Sequence, residues 1–210
     1  MIKSNKIFLF VVIIFLISCS NPEVSSFDDS KINIAAEPWQ AESINKKTVE
    51  FKIPDGSFNI LLEQEYQIAA IVKGKKYYTF GWESKIAPVD LILVWGRLAE
   101  DTVDKYISYS QSGRWYYYNY KANCPVTKTY IINHSANNHI IPATKNLRSA
   151  IKSIKVNEPV LLKGYLVKIK GKYKGKDYFW NSSFTRSDSG NHSCELFYIT
   201  NLKIGNKIYR

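Results

Sequence analysis

The 210-residue sequence predicts a mainly β (α+β) fold: a twisted antiparallel sheet or small barrel with about two helices. Three observations carry this. Strand-favouring Val, Ile, Tyr and Phe are frequent. Only two segments repeat apolar residues at a helical period. Pro159 to Ile204 reads as two long strands around a shorter aromatic strand and a polar loop. In the first of these strands Val160, Leu162 and Leu166 alternate with Leu161, Tyr165, Val167 and Ile169, so both faces are apolar and both are buried. Gly164 interrupts it, as at a bulge or a close backbone approach. Tyr178 to Phe184 alternates aromatic residues, Thr185 to Ser193 is a polar loop, and Cys194 to Ile204 is the last strand. A curled antiparallel unit of this kind is OB-like.

Before the domain comes an address. Lys3 and Lys6 precede Ile7–Ile17, an unbroken run of eleven apolar residues. Eleven is too short to span a bilayer and suits a signal-peptide core. Leu16-Ile17-Ser18-Cys19 ends the run and resembles the lipobox of bacterial lipoproteins. The resemblance implies a signal peptide over 1–18, removed before Cys19, and lipid (palmitate among the acyl chains) on that cysteine. Ser20, standing where Asp would retain the protein, implies the outer membrane of the cell envelope. An ordinary signal peptide with a chance cysteine is the other reading. Residues 19–47 then read as a lipidated cysteine and a flexible tether spanning about 30 Å. Trp39 in it either docks on the body or stays exposed.

Residues 48–210 make a single mainly β domain. Val49 to Ile53 is a strand, followed by a Pro-Asp-Gly turn. Tyr66 to Val72 and Tyr77 to Trp82 flank Lys73-Gly74-Lys75-Lys76, which reads as a hairpin. Val89 to Trp95 is an apolar central strand. Glu100 to Ser110 reads as a helix with Val103, Tyr106 and Ile107 inward. Arg114 to Lys121 and Lys128 to Ile132 read as strands. Ala143 to Ile154 is the clearest helix, with Leu147, Ile151 and Ile154 inward and Lys145, Arg148 and Lys152 outward. Four segments of this body resemble a family of uncharacterised bacterial proteins: Pro88-Val89-Asp90-Leu91, Gln111-Ser112-Gly113-Arg114-Trp115, His139-Ile140-Ile141-Pro142, and Trp180-Asn181-Ser182-Ser183 with Arg186, Asp188, Gly190, Cys194 and Glu195. The resemblance implies no activity.

Candidate sites are few. Cys124 and Cys194 remain once lipid takes Cys19; they are either a disulfide or two separate thiols. His134, His139 and His192 are the only histidines, and their spacing reads as loop and edge positions rather than a metal set. No metal or cofactor is expected. Ser182, Ser183, Arg186, Asp188 and His192 hold the ingredients of a hydrolase site, but without a nucleophile elbow. In RWYYYNYK, Trp115 and Tyr117 face one way and Tyr116, Tyr118 and Tyr120 the other; one face is core, and the second is covered or is a stacking platform. Net charge is +11, or +9 without Lys3 and Lys6. Lys168, Lys170, Lys172, Lys174 and Lys176 alternate on a hairpin suited to anionic lipid, lipopolysaccharide or wall polymer, with nucleic acid disfavoured. The expected protein is a membrane-anchored envelope lipoprotein with a binding or structural role. The alternative is a periplasmic hydrolase around Ser182, Arg186, Asp188 and His192.

Overall fold

The structure, a computed structural model, describes residues 21–42, 46–185 and 194–210. Cys19, Arg186, Asp188 and His192 lie outside the described residues. In chain order the elements are β1 (Ser26–Phe27), β2 (Trp39–Glu42), β3 (Thr48–Ile53), β4 (Gly56–Tyr77), α1 (Gly81–Ile86), β5 (Val89–Val94), α2 (Asp101–Asp104), β6 (Ile107–Ser112), β7 (Trp115–Tyr120), α3 (Lys128–Asn133), β8 (Ser135–Pro142), α4 (Lys145–Ser153), β9 (Pro159–Tyr173), β10 (Lys176–Asn181), β11 (Glu195–Ile204) and β12 (Lys207–Tyr209).

Five strands close a ring. β4 pairs with β5, β5 with β8, β11 with β9, and β9 with β4, all antiparallel; β8 and β11 pair in parallel. Counted along the chain, the ring strands follow the order one, two, three, five, four and back to one, with α4 between the third and fourth. That is the connectivity of an OB-like barrel. The barrel thus spans most of the body and not the C-terminal part alone. Its sheet is mixed rather than antiparallel, because α4 and β9 supply the crossover that a parallel pair needs.

The barrel interior holds a large apolar cluster: Tyr66, Ile68, Leu91, Leu93, Phe197 and Leu202 lie together with Leu147, Ile151 and Ile154 of α4. Helix α4 stands where the sequence predicts it, and Thr144 Oγ1 caps it by accepting from Leu147 N at 3.1 Å. Strand β4 serves two cores with one period. Phe58, Ile60 and Leu62 pack outside the ring, against Trp82 and Ile86 of α1. After a register shift between Leu62 and Gln64, the even-numbered Tyr66, Ile68 and Ala70 face the interior. One extra residue exchanges the faces, as a bulge must.

That second bulged stretch corrects the predicted hairpin. Lys73-Gly74-Lys75-Lys76 continues β4 against β5, with a shift between Val72 and Gly74. After Tyr77 the chain leaves the sheet and enters α1 at Gly81 instead of continuing as a strand. Two other expectations fail for local reasons. Lys128 to Ile132 lies in a helix, α3, because Thr127 Oγ1 caps it by accepting from Tyr130 N. The Glu100–Ser110 helix shrinks to α2, and Ile107 starts β6, which pairs with β7 as a ribbon over the barrel. Four α-helices stand among the described residues where about two were expected. Gly164 is a close approach: a β-carbon there would overlap the backbone of Tyr198 and Ile199 on β11.

Residues 21–42, read from composition as part of a tether, lie along the barrel as a strap. Ser26 pairs with Ile208 of β12, and β2 pairs with β4. Between them Glu37 accepts from Trp95 Nε1 at 3.0 Å and meets His134 Nε2 at 2.9 Å. Asp28 lies 2.8 Å from the buried ammonium of Lys203, whose hydrogen bond holds its carboxyl well below the usual range. Trp39 itself stays half exposed.

Candidate functional site

The outer face of the barrel carries a cleft of about 400 Å³. Its walls come from separate stretches: Trp82 and Glu83 from the connection after β4, Arg114 and Trp115 from the ribbon, and Tyr178, Phe179 and Trp180 from β10. Its floor holds His139 of β8 and Cys194 at the foot of β11. In OB-like barrels the second and third strands and the loops after the first and fourth form the ligand face. Here β5, β8, α1 and β10 occupy those places.

The chemistry gathers on the floor. Asp90 and His139 are cross-strand partners on β5 and β8, which brings them together on one face. Asp90 is fully buried. Its Oδ1 accepts from Arg114 Nη1 at 2.9 Å and lies 2.8 Å from His139 Nδ1. The imidazole approach is oblique, and Nδ1 finds no better-aligned acceptor. Asp90 Oδ2 has no hydrogen-bond partner among the described residues. Arg114 is locked in place: Nη2 donates to Ala87 O at 3.0 Å, and its guanidinium stacks over Tyr78 at 4.2 Å and Trp180 at 5.0 Å. Burial, with the Asp90 charge adding to it, pushes the Tyr78 phenol well above its ordinary range. The Trp180 ring lies 5.0 Å from His139 and 5.8 Å from Trp82, so one aromatic wall spans the floor and the rim.

The ribbon holds the floor from behind. Gln111 Nε2 donates to Asn137 Oδ1 at 3.0 Å, and Asn137 Nδ2 donates to Arg114 O at 3.1 Å and points to Cys194 Sγ at 3.8 Å. Tyr116 turns inward onto Ser135, and burial pushes its phenol up to about 12. Trp115 and Tyr117 face outward and stay exposed, so the second aromatic face of RWYYYNYK is uncovered.

The predicted site residues fare differently. No disulfide joins Cys124 and Cys194: Cys124 packs beside Val103 and Ile131 under the ribbon, while Cys194 lines the cleft. Ser182 is built into the backbone, its Oγ donating to Ser183 O and accepting from Leu196 N. His139 is no loop residue; it sits in a wholly buried strand. Among the described residues no three His, Cys, Asp or Glu side chains form a metal-ligand set.

Lys168, Lys170, Lys172, Lys174 and Lys176 form the predicted basic hairpin, all exposed. Its turn is Lys174-Gly175, both with positive φ, as a two-residue hairpin loop requires. Two acids sit beside it, one on neighbouring β4 and one on the hairpin's own second strand. Lys168 lies 3.7 Å from Glu63 and Lys172 lies 4.0 Å from Asp177. Lys170 pairs across the sheet with Phe179 and Asn59, and has no carboxylate at ion-pair distance among the described residues. A depression of about 390 Å³ opens there, lined by Lys170, Lys172 and Phe179. Phe179 is 73% exposed and borders both this depression and the cleft.

Compared with protein-family models, with curated proteins and with solved structures, the chain matches none. Asp90, Arg114, His139, Trp180 and Cys194 come from five separate stretches of the chain and gather at this one cleft.

Proposed function

We propose that this chain is an envelope lipoprotein, anchored through Cys19 in the outer membrane, that binds an acidic glycan. The glycan seats a sugar ring over His139, against the Trp82 and Trp180 wall, and continues across Phe179 onto Lys170 and Lys172. The observation that carries this reading is the position of Phe179, an exposed aromatic ring bordering both the aromatic cleft and the basic depression. Aromatic faces suit the apolar faces of sugar rings, and unpaired lysine suits an anionic substituent. The location of the cleft agrees with the ligand face of OB-like barrels, which take oligosaccharides and oligonucleotides; that part of the argument is fold-level analogy. An envelope address favours the oligosaccharide.

The test titrates full-length protein in detergent with lipopolysaccharide core oligosaccharide, a neutral oligosaccharide and single-stranded DNA, read by tryptophan fluorescence. The acidic oligosaccharide binds best, and its affinity falls with salt. Trp180→Ala weakens it by about tenfold, the value of one lost aromatic contact. Lys170→Gln with Lys172→Gln removes most of the salt dependence. Binding that ignores Trp180→Ala, or a preference for the DNA, overturns the reading.

A further inference from the structure

We propose that Cys194 is the nucleophile of an acyl-transfer site in this cleft, with His139 as its base and Asp90 orienting the imidazole, acting on O-acyl esters carried by the bound glycan. The proposal rests on the reading of the cleft as a glycan site. Strand geometry brings the three side chains into line. β8 runs between β5 and β11, pairing with each. His139 Nδ1 lies 2.8 Å from Asp90 Oδ1 on β5, and the same imidazole lines the cleft.

On β11, Leu196 is the partner of His139, and Cys194 stands immediately before the strand's first residue, Glu195. Both Cys194 and His139 line the cleft. Hydrogen bonds between a nucleophile and its base are often long in the free protein and tighten when substrate binds. Asn137 Nδ2, 3.8 Å from Sγ, points a donor at the sulfur, an arrangement that favours the thiolate. Thiol, imidazole and buried carboxylate in that order are the working parts of nucleophilic acyl transfer. The unpartnered Oδ2 of a fully buried Asp90 marks the floor as a place where polarity is kept for use.

The step balances without any further reactant but water. The Cys194 thiol gives its proton to His139 Nε2 as sulfur attacks the ester carbonyl. The C–O bond to the sugar breaks, the departing sugar oxygen takes the proton from His139, and a thioester remains on Cys194. Water, deprotonated by His139, then attacks the thioester. The C–S bond breaks, the acid is released, and the thiol is restored.

Full-length protein in detergent supplies the test, because Cys124 is a second half-buried thiol in the same molecule and serves as the reference. Iodoacetamide labelling followed by peptide mapping should alkylate Cys194 at least about tenfold faster than Cys124 at neutral pH, as an imidazole-activated thiolate requires. His139→Asn should abolish the difference and leave Cys124 unchanged. With 4-nitrophenyl acetate, wild type should release a burst of nitrophenol and carry one acetyl group on the Cys194 peptide. Cys194→Ser should lose the burst and the acetyl group on that peptide. Equal reactivity of the two thiols, indifference of Cys194 to His139→Asn, or no acetyl group on Cys194 overturns the nucleophile. Those results leave glycan binding intact, whereas wild type that binds no oligosaccharide removes the underlying reading instead.

Discussion

Replacing Arg114 with Met tests the electrostatics of the cleft floor. The side chain now gives two hydrogen bonds, to Asp90 Oδ1 and Ala87 O, and stacks between Tyr78 and Trp180. Met keeps much of the volume and removes the charge. Asp90 is then a wholly buried carboxylate left with an oblique imidazole and the Tyr78 phenol and no cation. Breaking one side of a buried pair costs about 3–5 kcal/mol. That is a large part of the roughly 5–15 kcal/mol that holds a domain folded. For a domain of this size it lowers the Tm by about 6–20 °C. Adding Asp90→Asn removes the stranded charge, so the double variant should recover much of the loss, with a coupling of about 2 kcal/mol or more. Urea and thermal unfolding of the four proteins close the cycle. A Tm for Arg114→Met within about 2 °C of wild type, or losses that simply add, refutes the argument.

Two further perturbations address the frame. Gly164→Ala forces a β-carbon into the backbone of β11 where β9 closes the ring; backbone shifts of this kind cost about 1–3 kcal/mol, and amide exchange should quicken first in β9 and β11. Asp28 has a lowered carboxyl pKa in the folded chain, mainly through its hydrogen bond to Lys203. Its contribution is therefore present in full above the ordinary aspartate value of about 4 and is lost as pH falls below that toward the folded value. Hydrogen exchange at the Ser25 and Asp28 amides should rise in that window, and Asp28→Asn should abolish the pH response; protection that is flat with pH in wild type would count against it.

What the sequence made legible follows from periodicity. Helix α4 shows its stripe, and Val160, Leu162 and Leu166 of β9 alternate as read. A bulge between Ile199 and Asn201, however, puts Phe197 and Ile199 on the same face as Leu202 and Ile204, which strict alternation along β11 separates. The cleft could not be read from periodicity. β8 is buried along its whole length yet carries Ser135, Asn137, Asn138 and His139, and a hydropathy reading takes such a run for a loop. Ser135 and Asn137 are tolerated because Tyr116, Gln111 and Arg114 of the ribbon come down on them. That is a tertiary fact with no local trace. One signal was present: Asp90 stands alone inside the apolar run Val89–Trp95. A single acid in a central strand needs a partner, and the search for one leads to Arg114 and His139. The lysine hairpin shows the opposite error. Its charge looked undiluted along the chain because Glu63, which lies beside it, is distant in sequence.

With a lipid on Cys19, as proposed, the strap would set how far the body could stand from a bilayer. Glu23 N donates to Asn146 Oδ1 on α4, and from there to Glu42 the strap lies against the barrel. A lipid on Cys19 would then be joined to the body by four residues, at most about 14 Å of chain. The protein would ride on the bilayer like a boat on a short mooring, with no long line to pay out. Helix α4, next to that mooring, exposes Lys145 and Lys152. Each would add roughly 1 kcal/mol beside anionic head groups, enough to bias which way the molecule lies. Cargo for the cleft would have to arrive at the membrane surface, since the body could not swing out to meet it.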